Sequence, residues 1–148
     1  MDKKASSEFI EREQLLLLYE NLIDEGYNLC TGYKAMHNKI ISHINRNIVQ
    51  DIMKSKINQC NELINLYDKL SCRKYVNKKM NYDKKYRLAQ MFAKECNHGE
   101  VLNYIYANTM DYDIKHKIQK IINDENLILF KLLYLQSLFG INWEADNK

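Results

Sequence analysis

Ile114-Lys115-His116-Lys117-Ile118-Gln119-Lys120-Ile121-Ile122-Asn123-Asp124-Glu125-Asn126-Leu127-Ile128-Leu129-Phe130-Lys131-Leu132 is the stretch that decides the fold class. Ile114, Ile118, Ile121, Ile128 and Leu132 recur every three or four residues, and Phe139 continues the series. That period belongs to an amphipathic α-helix and not to a strand, whose side chains alternate every two residues. One residue breaks the stripe. Glu125 stands four positions after Ile121 and three before Ile128, so the helix carries a carboxylate into its apolar face. Burying a lone carboxylate is costly, and Glu125 therefore needs a cation, a metal, a hydrogen-bond donor or a proton, or a place where the stripe meets solvent.

The same period extends through the rest of the chain. A first helix is expected from about Ser7 to Ile40, capped by Ser6 or Ser7, with Leu15, Leu18, Tyr19, Leu22, Gly26, Leu29, Cys30 and Tyr33 on one face. Gly26 and Gly32 inside it predict a close helix contact or a kink. After a break at His43–Asn47, a second helix is expected from Ile48 to Ser71, its face formed by Val49, Ile52, Met53, Ile57, Cys60, Leu63, Ile64, Tyr67 and Leu70. A polar loop follows. The third helix is expected over 82–107, capped by Asn81 or Asp83, with Leu88, Ala89, Phe92, Cys96 and Tyr106 as its stripe. Asn108-Thr109-Met110-Asp111 then supplies caps for a fourth helix over 111–139, which Gly140 ends. Trp143 in the tail is expected to fold back onto the bundle. Long helices with short connections favour antiparallel neighbours, so the expected fold is all-α: one domain, an antiparallel up-down four-helix bundle.

Composition agrees and narrows the function classes. The chain has 148 residues, no proline and four glycines, too few turn residues for a strand-rich domain of this size. No apolar run is long enough to span a membrane, and the N-terminal residues lack an apolar leader core, so a cytoplasmic location is expected. The net charge is +3. Its densest basic stretch, Arg73 to Arg87, interleaves with Tyr75, Tyr82 and Tyr86 and is expected to be a solvated loop rather than a nucleic-acid surface. The same tyrosines with Met80 could instead meet a protein partner. Cys30, Cys60, Cys72 and Cys96 match no zinc spacing and read as free thiols in a reducing compartment. No glycine-rich phosphate loop and no nucleophile elbow occur, so no catalytic residue is assigned. His37 is expected at the core or its boundary, and His116 is expected to face outward.

Partners for Glu125 are offered by the third helix. Glu95 and Glu100 flank its apolar stripe on either side of Cys96 and Gly99, and Gly99 would admit a neighbouring backbone. The segment from Ala93 to Gly140, with Ala93-Lys94-Glu95-Cys96-Asn97-His98-Gly99-Glu100, Asn108-Thr109-Met110-Asp111-Tyr112-Asp113-Ile114-Lys115, Ile121-Ile122-Asn123-Asp124-Glu125 and Leu132-Leu133-Tyr134-Leu135, resembles the second half of a ferritin-like, rubrerythrin-type bundle. The resemblance implies a carboxylate site for iron or manganese with Glu95, Glu100 and Glu125 as ligands. It also implies a Glu-x-x-His on two of the helices. Here Ile128 stands where the fourth helix should give histidine, and the second helix offers Glu62 with Asn65 in that place. Glu20 and Glu25 lie at the edge of the first helix's face. The single Glu-x-x-His, Glu95 to His98, falls on the third helix, with His98 expected to point away from the apolar side. The implied protein is a ferritin-like bundle with an incomplete metal site and a binding or structural role, with a protein partner or a second copy as its associate. The alternative is a helical interaction module of viral or parasitic type, a Bcl-2-like groove binder.

Overall fold

Four long helices account for nearly all of the described backbone in the computed structural model, which covers residues 11–77 and 87–139. They are α1 (Arg12–Lys39), α2 (His43–Ser71), α3 (Leu88–Ala107) and α4 (Tyr112–Phe139), and no strand occurs among the described residues. The chain is an all-α four-helix bundle. The expected starts and caps of the first and third helices, at Ser6, Ser7, Asn81, Tyr82 and Asp83, lie outside the described residues. So do Met80, Tyr86, Gly140 and Trp143.

Local sequence sets the described boundaries. α1 ends where Ile40 turns extended. α2 then starts at His43, five residues earlier than the sequence suggested. Ser42 is the reason: its hydroxyl accepts the Asn45 backbone N–H, and capping outweighs the weak helix preference of the Asn- and His-containing segment after it. Cys72 ends α2 in the left-handed region (φ 56°), among the described residues the single non-glycine with positive φ. The Asp111 carboxylate accepts the Ile114 backbone N–H at 3.1 Å and caps α4, as the turn residues predicted.

Contacts along the rods show how they pair. On α1 and α2, Arg12 reaches the Leu70 carbonyl, the Tyr67 hydroxyl donates to Glu20 at 2.5 Å, and the Cys60 thiol lies over the Ile23 carbonyl. Numbers rise on one helix as they fall on the other, the order of an antiparallel hairpin. α3 and α4 pair in the same sense. Leu102 and Ile105 share one core with Ile114, Ile118 and Ile121, while Leu88 and Met91 share another with Ile128, Leu132 and Leu135.

Those two cores divide the interior. One contains Leu16, Tyr19, Leu22, Ile23, Leu63, Leu66 and Tyr67, together with the start of α4 and the end of α3. The other contains Leu29, Tyr33, Met36, Ile40, Val49 and Ile52, with the start of α3 and the end of α4. Every helix crosses from one to the other through a polar layer at Gly26, Lys56, Glu95 and Glu125. Burial of the two apolar sets drives folding. It also removes the layer between them from water.

At Gly26 the bundle needs a residue without a side chain. A Cβ there would meet Cys60 Sγ at 2.5 Å, well inside contact distance. The expected close approach is therefore real at Gly26. Gly99 is different: a Cβ would meet nothing within 4 Å, so it admits no neighbouring backbone.

The tyrosines divide. Tyr19, Tyr33 and Tyr67 are buried as their spacing predicted, and Tyr104 on α3 is about half exposed. Tyr75 does not stand free on the basic loop. Its ring packs edge-on against Tyr67, its backbone N–H donates to Asp68 at 2.7 Å, and its hydroxyl donates to Asp24.

Candidate functional site

The polar layer is built from helical spacing alone. On α2 the inward positions run Val49, Ile52, Lys56, Gln59, Leu63 and Leu66; on α3 they run Leu88, Met91, Glu95, His98, Leu102 and Ile105. Each is a repeat of three and four residues, so a polar side chain at one of these positions enters the core whatever its chemistry. Glu125 does the same on α4. Glu95 and Glu125 are fully buried, and Lys56, Gln59 and His98 nearly so.

Lys56 is the centre. Its Nζ lies 3.0 and 3.1 Å from the two Glu95 oxygens, 3.1 Å from Glu125 Oε1, 2.9 Å from His98 Nδ1 and 3.3 Å from Gln59 Oε1. Gln59 turns its amide the other way, and Nε2 donates to Asp124 at 3.1 Å on the rim of the layer. Glu125 thus finds the first of the partners its burial called for, a lysine.

Charge and hydrogen bonding follow from this geometry. An ammonium has donors and no acceptor, so the His98 Nδ1 at 2.9 Å must be the unprotonated nitrogen. The proton of the neutral ring then sits on Nε2. Burial first, and then the Lys56 and Lys94 charges, hold the imidazole well below its ordinary pKa, in keeping with a neutral ring. Lys56 stays protonated: the two carboxylates and their hydrogen bonds outweigh the burial that would lower its pKa, and the value is raised. One ammonium facing two carboxyl groups leaves a proton for the pair. Burial, and next the negative charge of Glu95, push the pKa of Glu125 well above the usual carboxylate range. Tyr33 approaches from α1, and burial first, then the Glu95 charge, keeps its phenol protonated.

Glu95, His98 and Glu125 also form a set of metal-type donors, with ligand atoms within 4.8 Å of one another. Three donors at that spacing could surround one ion. Lys56 Nζ, however, is already at hydrogen-bond distance from all three. A divalent ion at that point would face an ammonium, and His98 Nε2, which carries the proton, has no lone pair to offer. The residues therefore fit an ammonium as they stand, and they fit a metal only with Lys56 withdrawn.

Of the three carboxylates expected as ligands, Glu95 and Glu125 meet in this layer. Glu100 is exposed and takes no part. Glu62 and Asn65 are exposed on α2. Glu20 accepts from Tyr67, and Glu25 pairs with Lys94 at 2.7 Å, both outside the layer. His98 reverses the expectation: it points into the bundle and is 3% exposed. The cause is a phase error on α3, where the buried row is Leu88, Met91, Glu95, His98 and not Leu88, Ala89, Phe92, Cys96. Lys56 and Gln59 were missed outright, and Ile57, assigned to the face in their place, is 40% exposed. A count of three-and-four spacing from Val49 would have found them. His37 is half-buried and His116 exposed, as expected. The cysteines are free, with Cys60 buried and Cys30 and Cys96 half-buried.

No helix of the described residues is long and apolar enough to cross a membrane. Comparison by family, by curated protein and by solved structure finds no match to this chain.

Proposed function

We propose that this chain is a ferritin-like, rubrerythrin-type bundle whose incomplete carboxylate site is closed by its own lysine, and that it serves a binding or structural role. One observation carries the reading: Lys56 Nζ occupies the point on which Glu95, His98 and Glu125 converge. α3 supplies a Glu-x-x-His and α4 a Glu, which is half of the donor set that such bundles use. On α2 the inward pair at the same spacing is Lys56 and Gln59, a cation and an amide in place of acid and imidazole. The fixed ammonium neutralises the acids without an ion and ties α2, α3 and α4 together.

Anaerobic dialysis against iron(II) or manganese(II), followed by metal analysis, tests this. The wild type should retain far less than one ion per chain. Lys56→Ala should gain about one ion, since three donors within reach then face an empty centre, and Lys56→Ala with Glu125→Ala should lose it again. Stoichiometric metal in the wild type, lost on Glu125→Ala, would overturn the closed-site reading. No gain in Lys56→Ala would remove the ferritin-like one.

A second reading, the helical interaction module, is favoured by the outer face of α4. Leu127, Phe130, Tyr134 and Leu138 lie on one helical row, with Leu133 beside it, and all are about half exposed or more. A protein partner or a second copy of the chain is the proposed occupant. Phe130→Asp should abolish concentration-dependent association measured by light scattering if that row is the contact, and a wild type that stays monomeric would argue against a second copy there.

A further inference from the structure

α2 and α4 leave a groove of about 280 Å³ between them, lined by Glu62, Asn65, Leu66 and Lys69 from α2 and by Lys117 and Lys120 from α4. Helical spacing brings the charges together. Lys117 and Lys120 stand three residues apart and so share one face of α4, and Lys69 belongs to the last turn of α2. All three are exposed. Like charges set side by side repel, and neighbouring acids ordinarily relieve this. Here the acids nearest in sequence are engaged elsewhere or lie outside the groove. Asp68, beside Lys69, accepts the Tyr75 backbone N–H, and Asp124, one turn after Lys120, accepts from the Gln59 amide. Asp113, one turn before Lys117, does not line the groove. The three lysines form no ion pair or hydrogen bond with any described residue.

We propose that this groove binds a small anion with two or more charges, of the pyrophosphate or phosphate-ester class. Three ammonium groups face one carboxylate, Glu62, so the groove carries an excess of two positive charges. A dianion cancels that excess, and a neutral molecule or a cation does not. Lysine meets phosphate oxygens as a point charge and needs no fixed fork geometry, which suits three flexible side chains. Asn65 adds an amide, and the buried Leu66 is the one apolar residue of the lining. The volume lies just under the ~300 Å³ at which drug-sized sites begin, so the occupant is small. No residue of the Lys56-centred layer lines the groove, so the two sites stand or fall separately.

Titration calorimetry of the full chain at low ionic strength, with inorganic pyrophosphate and inorganic phosphate as probes, tests this. Pyrophosphate should bind saturably at one site per chain, and phosphate should bind about tenfold more weakly, having fewer charges to offer. Lys117→Gln with Lys120→Gln should weaken pyrophosphate about tenfold. Lys54→Gln with Lys131→Gln removes the same net charge outside the groove and should leave the affinity within about twofold. Glu62→Gln should tighten binding about threefold, a gain that a loss of folding does not produce. Absence of saturable binding would overturn the proposal. So would an equal loss in the two lysine pairs, which would make the attraction one of net charge. Binding of a single-stranded oligonucleotide by a chain that ignores pyrophosphate would replace the small anion with a nucleic-acid backbone.

Discussion

The Lys56 ammonium lies 2.9 Å from Nδ1 of His98, forty-two residues later in the chain and on a different helix. Because the ammonium can only donate, this one contact sets the imidazole tautomer. With the two carboxyl contacts, it also makes Lys56 the point where α2, α3 and α4 meet.

Removing the ammonium should be costly. Lys56→Met leaves Glu95 and Glu125 facing each other out of water, and breaking a buried ion pair from one side costs about 3–5 kcal/mol. Urea unfolding at neutral pH should show a loss of that order.

Stability should depend on pH in a form that two residues set against each other. Glu125 has a folded pKa raised above its usual 4.5, so it contributes stability that declines as pH rises from about that value toward the folded one. His98 has a folded pKa lowered below its usual 6.5, so its contribution declines as pH falls below that value. Between the two usual values the slopes oppose and a plateau is expected. Glu125→Gln should remove the alkaline decline and be more stable than wild type at pH values above 6.5. His98→Gln should weaken the acid decline. Thermal unfolding across the range reads both.

Of the carboxylates on α3, only one should matter. Glu95→Ala removes the acid from both of its contacts with Lys56 and should cost about 3 kcal/mol, whereas Glu100→Ala, at an exposed position, should stay within about 0.5 kcal/mol of wild type. Chemical denaturation of the two variants separates a site that includes Glu100 from one that does not.

Gly26→Ala tests the crossing of α1 and α2. The added methyl would meet Cys60 Sγ, which is buried and has little room to turn, and overpacking of this kind costs about 1–3 kcal/mol. Cys60→Ala should recover most of that loss in the double variant, where the higher helix propensity of alanine then also counts. Equal losses with and without Cys60→Ala would place the strain elsewhere.

Much of this architecture is legible in the order of residues, and the site is legible in part. Ile114 to Leu132 gives α4 and the place of Glu125 because a wide apolar stripe has one phase. α3 is harder. Its apolar residues are few and surround the helix, so Leu88–Ala89–Phe92–Cys96 and Leu88–Met91–Glu95–His98 both fit a helical period, and only packing against α4 chooses between them. Lys56 was hidden for a different reason. Reading burial from hydrophobicity passes over a lysine, and its partners are 39 and 69 residues away in sequence. A buried acid predicts that a partner exists; it does not say which residue.

The state of Lys56 itself is the most direct test. Nitrogen-edited spectra selective for lysine ammonium groups should show one slowly exchanging ammonium, assigned by its loss in Lys56→Met, that persists above about pH 10 because its folded pKa exceeds the usual 10.5. It should show a coupling to His98 Nδ1. A Lys56 signal that exchanges as fast as those of surface lysines, or that vanishes when manganese binds stoichiometrically to the wild type, would contradict a bundle centred on its own ammonium.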